Sequence, residues 1–141
     1  MSSIRDEPIA LDTNQYVFAA RGDAAHPACR VLLFERIADL RIYVPRDVIR
    51  EMHRNLLTSE LHALFATLRR AVEVIWDFGG PSEERIFRFQ ELGARKGDAV
   101  IAAHLDTAGI RTLVSENRHF LREIPDLPFE VLTSADVLSK L

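Results

Sequence analysis

The chain has 141 residues, 48% hydrophobic and 28% charged, which suits one globular domain burying about two-thirds of its surface. A formal net charge of −3 excludes any global attraction to nucleic acid, and a single cysteine, Cys29, excludes an internal disulfide and a zinc–thiolate cluster. No apolar run approaches the ~20 residues of a membrane helix, and the start MSSIRDEP lacks the basic and apolar stretches of a signal peptide, so a cytoplasmic protein with no membrane partner is expected.

Residues 1–7 read as a flexible N-terminus and 8–141 as one domain. After Pro8, Ile9-Ala10-Leu11 is a short apolar strand; Asp12, Thr13 and Asn14 are good caps for a helix running to about Ala20. Gly22-Asp23 breaks that helix. A second helix is predicted from Pro27 to Leu40, with Val31, Leu32, Phe34, Ile37 and Ala38 at helical spacing. Ile42-Tyr43-Val44 is a strand. Pro45 suits the first position of a helix reaching Leu57, with Val48, Ile49, Met52 and Leu56 inward. A helix from Thr58 to Ala71 follows, then a strand over Val72–Trp76, a turn at Gly79-Gly80-Pro81-Ser82 and a helix closed by Gly93. Asp98 to Ala108 is apolar on most sides and reads as a central helix ended by Gly109. Arg111–Val114 and Phe129–Leu132 are strands, and Ser134–Leu141 is a last helix. Strands that are short apolar runs, alternating with helices, specify an α/β fold: a short parallel sheet with helices on both faces. Ligands in such sheets sit beyond the carboxyl ends of the strands, where Asp12 and Asn117 fall.

Four acidic stretches stand out: Leu11-Asp12-Thr13-Asn14, Val48-Ile49-Arg50-Glu51, Gly97-Asp98-Ala99-Val100 and Val114-Ser115-Glu116-Asn117. Each places an acid or amide beside an apolar run. Carboxylates gathered at the edge of a core call for a cation to neutralise them. Oxygen ligands of this kind suit magnesium or manganese, whose chemistry includes phosphodiester hydrolysis. Taken singly, Asp12 and Asp98 also read as helix caps, Glu51 as an exposed glutamate at the border of an apolar face, and Ser115 and Asn117 as turn residues. Asp106 reads as a surface residue or a support for a neighbouring Arg or His. No two histidines have the His-x-x-x-His zinc spacing; Glu116 and His119 form a lone Glu-x-x-His. Lys96, Arg111, Arg118, His119 and Arg122 are candidates for phosphate contact, against a plain solvated charged face.

Taken together, LDTN, VIRE, GDAVIAAHLDTAG and LVSENRHF resemble the PIN domain family of metal-dependent ribonucleases, over a match from about Ile9 to Leu132. The resemblance implies a PIN-like three-layer sandwich and an Mg²⁺- or Mn²⁺-dependent endoribonuclease. It makes Asp12, Glu51 and Asp98 the metal ligands, with Asn117 completing the catalytic set and Asn14, Ser115 and Glu116 in support. Lys96, Arg118 and Arg122 become the RNA contacts. Asn117 stands where the family carries its fourth acid, and an amide oxygen can ligate magnesium but brings no charge. Single-domain members of this size are similar to VapC-like toxins, which implies an RNA substrate, a homodimer and a small antitoxin protein as partner. A catalytically silent PIN-like module that binds RNA or protein is the alternative. A phosphoacceptor receiver is disfavoured because Thr13 follows Asp12 and the only lysines are Lys96 and Lys140; an Asp-x-Asp phosphatase is disfavoured because Asn14 fills the second position.

Overall fold

Ile9, Ala10 and Leu11 are each 1% exposed. A strand buried on both faces needs cover on both sides, which is why it reads as an unbroken apolar run rather than an alternation. In the computed structural model, which describes residues 3–117 and 124–141, this strand β1 (Ile9–Leu11) is the middle of a parallel sheet. The other strands are β2 (Arg41–Pro45), β3 (Glu73–Asp77), β4 (Thr112–Val114) and β5 (Glu130–Leu132), in the order β3-β2-β1-β4-β5. Every pairing is parallel, with Ala10 beside Tyr43 on one side and Leu113 on the other.

Helices flank this sheet: α1 (Thr13–Arg21), α2 (Pro27–Arg30), α3 (Arg46–Asn55), α4 (Thr58–Leu68), α5 (Glu83–Glu91), α6 (Lys96–Ala108) and α7 (Ser134–Ser139). The α/β three-layer sandwich anticipated from the sequence is the observed architecture. Local chemistry sets the helix ends. Asp12 caps α1 through its side chain, Ser82 caps α5, and Thr133 with Asp136 forms a capping box on α7. Gly22 (φ 59°) and Gly109 (φ 70°) close α1 and α6 in the left-handed conformation that glycine adopts without strain. Helix α6 is the most enclosed: Ala99 and Ile101 to Leu105 are all buried.

The long helix expected over Pro27–Leu40 is interrupted. After α2 the backbone takes a π-helical turn (Val31–Glu35) and a 3₁₀ turn (Ile37–Asp39). Two carbonyls of this stretch are claimed from outside: Thr67 donates to the Leu33 carbonyl (2.6 Å) and Arg70 to that of Phe34 (3.3 Å). The apolar spacing is kept while the regular ladder is lost. Helix α4 stops at Leu68, three residues short of expectation, because Val72 N–H turns to the Leu40 carbonyl (2.8 Å) to start β3. At the start of the chain, Arg5 donates to the Leu141 carbonyl (3.0 Å) and pairs with Asp39 (3.4 Å), and Ile4 packs on the core.

Leu113, fully buried at the centre of β4, has no room to be replaced by a smaller residue without leaving a void. Leu113→Ala is expected to lower stability by about 2–5 kcal/mol, read as a shift of the urea midpoint at constant m-value.

Candidate metal centre

β1 pairs with β2 on one side and β4 on the other, so the chain leaves β1 in one direction and returns on its opposite flank. At such a switch point the connections leave in opposite directions and open a crevice beyond the carboxyl ends of the strands. Asp12 follows β1 at this crevice and Ser115 follows β4.

The two are joined. The Asp12 N–H donates to the Val114 carbonyl (2.9 Å), adding a rung to the ladder past the end of β1. Ser115, fully buried, donates its hydroxyl to Asp12 Oδ2 (3.0 Å), and the Thr13 N–H donates to Oδ1 (2.8 Å). The Asn117 N–H donates to Ser115 Oγ (3.0 Å), which fixes that oxygen as acceptor on one side and its proton toward Asp12 on the other. Both Asp12 oxygens are therefore held in place, by backbone and hydroxyl rather than by Asn14, which is exposed on α1.

Glu51 on α3 and Asp98 on α6 are half-buried and lie near enough to act on Asp12 electrostatically. Asp98 is the third residue of α6, where the helix dipole favours a negative charge. Burial is the largest influence on Asp12 and pushes its carboxyl from 3.8 up to about 6; the bonds from Ser115 and Thr13 oppose this, and the charges of Asp98 and Glu51 add to it. The three acids do not form a closed shell. Among the described residues, no group of three or more His, Cys, Asp or Glu side chains is arranged to hold an ion directly. The donors are carboxylates and hydroxyl oxygens, while the one cysteine is buried against Ser134 (3.6 Å). That chemistry fits a hard cation that keeps part of its water shell, such as magnesium or manganese, better than zinc.

No protein-family model matches the sequence, and no curated protein matches it. Solved structures do. The chain is similar to VapBC2 from Rickettsia felis, determined bound to a DNA fragment from its promoter, with a TM-score of 0.58 and 23% identity, over 89% of this chain and 97% of that one. It is also similar to PAE2754 from Pyrobaculum aerophilum, with a TM-score of 0.53 and 15% identity, over 98% of this chain and 97% of that one. The chain has the PIN-domain fold.

On this PIN fold the remaining sequence candidates separate. Glu116, one residue from Ser115, turns to the start of α7. Its Oε1 accepts from the Ser134 N–H (2.9 Å) and hydroxyl (2.5 Å) and from the Gln15 amide (3.2 Å). Burial raises the Glu116 carboxyl, but those donors outweigh it and hold it below the usual glutamate range. Lys96, exposed, opens α6 two residues before Asp98. Arg118, His119 and Arg122 lie outside the described residues. Arg111 precedes β4 and is at the opposite, amino edge of the sheet, where it lines a cavity of ≈ 420 Å³ with Glu130 and Lys140. Asp106 supports α5 by accepting from Arg85 (3.0 Å) and Arg88 (2.7 Å).

Two polar contacts near the crevice escaped the sequence reading. His104, 2% exposed in α6, bonds through Nε2 to Asp47 Oδ2 on α3 (2.7 Å), and the buried Tyr43 hydroxyl donates to Asp77. The available signal was a histidine inside the most apolar helix and an aspartate one turn ahead of Glu51.

The sign of the Asp12 shift fixes a pH dependence. With a folded-state value near 6 against 3.8, the protonated carboxyl stabilises the fold fully below about pH 4, and this contribution is lost as pH rises through about 6. Asp12→Asn is expected to remove that slope and to raise metal-free stability at pH 7 by roughly 1–3 kcal/mol. Urea unfolding from pH 4 to 7.5 in chelator checks it; parallel slopes for the two proteins would contradict the assigned environment.

Proposed function

We propose that this chain is a metal-dependent endoribonuclease that hydrolyses RNA phosphodiester bonds, with Asp12, Glu51 and Asp98 holding Mg²⁺ or Mn²⁺. The observation that carries this reading is the charge arrangement at the switch-point crevice. A half-buried aspartate there is repelled by two further carboxylates arriving from α3 and α6. Such an arrangement opposes folding unless it serves to take up a cation. A bound divalent ion would supply an activated water and neutralise charge on the phosphate. The protein's own contribution is positional. Ser115 and the Thr13 amide fix the orientation of Asp12, and Asn117 orients Ser115. Lys96, exposed two residues before Asp98, is assigned contact with an RNA phosphate, and Arg118 and Arg122 the same role. The VapBC2 likeness supports a toxin–antitoxin setting with an antitoxin protein as partner, and the proposal takes a homodimer as the working form.

A second reading, a silent PIN-like module that binds RNA or protein, draws on one specific feature. Asn117 brings no charge to the fourth position, and the adjacent Glu116 is held by Ser134 and Gln15. The two readings separate in one experiment. Cleavage of a generic single-stranded RNA is expected to require Mn²⁺ or Mg²⁺, to stop on chelation, and to fall to the no-metal level in Asp12→Asn. RNA bound without cleavage at any metal concentration would instead establish the silent module.

Asn117→Asp tests the fourth position. The added carboxylate is expected to tighten Mn²⁺ binding, seen as a lower metal concentration for half-maximal cleavage. No change in metal dependence would place residue 117 outside the ligand set.

A further inference from the structure

Helix α6 presents Ala99, Ile101, Ala102, Ala103 and Leu105 to the core, and one polar ring, His104, among them. A buried imidazole is costly unless it is bonded, and replacing a buried polar pair with apolar side chains is often neutral or stabilising. Stability alone therefore gives no reason for His104. What its bond accomplishes is geometric: Nε2 reaches Asp47 Oδ2 at 2.7 Å across the contact between α6 and α3.

These are the helices that carry Asp98 and Glu51. Asp47 lies four residues before Glu51, so both project from one face of α3. The Asp47 end is itself braced. Tyr43 on β2 donates to Asp77 at the end of β3, and His104 and Arg46, the neighbour of Asp47, both act on Asp77 electrostatically. Because α3 follows β2 with no loop between them, its start is tied to the sheet by the chain itself and to α6 by the His104–Asp47 bond.

We propose that Asp47 and His104 are positioning residues that set the separation of Glu51 from Asp98 by tying α3 to α6. The inference rests on the metal-centre reading for its purpose, but the tie itself has a metal-free signature. Two measurements on the full chain test it: Mn²⁺ affinity by electron paramagnetic resonance, and the α3–α6 distance by spin labels on Arg50→Cys and Ala108→Cys, both exposed positions, with Cys29 buried and unlabelled.

His104→Leu and Asp47→Ala are expected to stay folded, to broaden the interhelical distance distribution without metal, and to weaken Mn²⁺ binding by about 10-fold or more. His104→Gln, whose amide nitrogen can reach the position of Nε2, is expected to restore both. A narrow, unshifted distance distribution in either folded variant overturns the proposal, as does Mn²⁺ affinity equal to wild type. If His104→Leu does not fold, Asp47→Ala carries the test, because Asp47 lies at the helix surface. If the wild type binds no Mn²⁺, the metal reading fails, and the distance measurement alone decides the tie.

Discussion

The candidate site depends on one contact, the Ser115 hydroxyl donating to Asp12 across the gap between β4 and β1. It follows from register. Ala10 lies beside Leu113 and Leu11 beside Val114, so Asp12 and Ser115 are the next pair and project from the same face of the sheet. A slip of one residue would send one of them to the opposite face and dissolve the site. The short parallel strands matter because both must end at this level for the crevice to open between them.

The carboxylates approach one another because α3, which follows β2, and α6, which leads back into β4, both begin at that same edge. Asp98 enters from the first turn of α6, where the dipole offsets part of its charge, and Glu51 enters from the second turn of α3. The contrast with Glu116 shows how finely this is set. It is one residue from Ser115, yet its carboxylate serves as a second anchor for α7 and stays below the usual glutamate range, while Asp12 is pushed up to about 6. The difference is in donors: Glu116 meets a backbone amide, a hydroxyl and a side-chain amide at one oxygen, whereas Asp12 receives one bond per oxygen and is flanked by like charges.

Much of the fold was legible because the strong local signals agreed with one another. The run Ile9–Leu11 followed by a capping Asp12, the Gly109 that ends the apolar stretch from Asp98, and the start of the last helix at Ser134 each mark an element boundary that the structure keeps. The break in the Pro27–Leu40 stretch was not legible, since its cause lies in Thr67 and Arg70, residues more than 30 positions away that take its carbonyls. Arg111 was misread for a similar reason. Proximity in sequence to Ser115 suggested proximity to the site, but the three residues of β4 carry it to the far edge of the sheet.

The sequence by itself determined the class of fold and the identity of the candidate oxygen donors, because strand burial, helix capping and residue chemistry are local properties. Only the tertiary structure decided which donors meet. Asp12, Ser115 and Asn117 form one chain of bonds, Glu116 is drawn to α7, and the pairing of His104 with Asp47 connects the helices of Asp98 and Glu51. These are contacts between residues 18 to 103 positions apart, or between turn neighbours whose direction the register sets. Their energies exist only once strand order and helix crossing have placed the partners within hydrogen-bond reach.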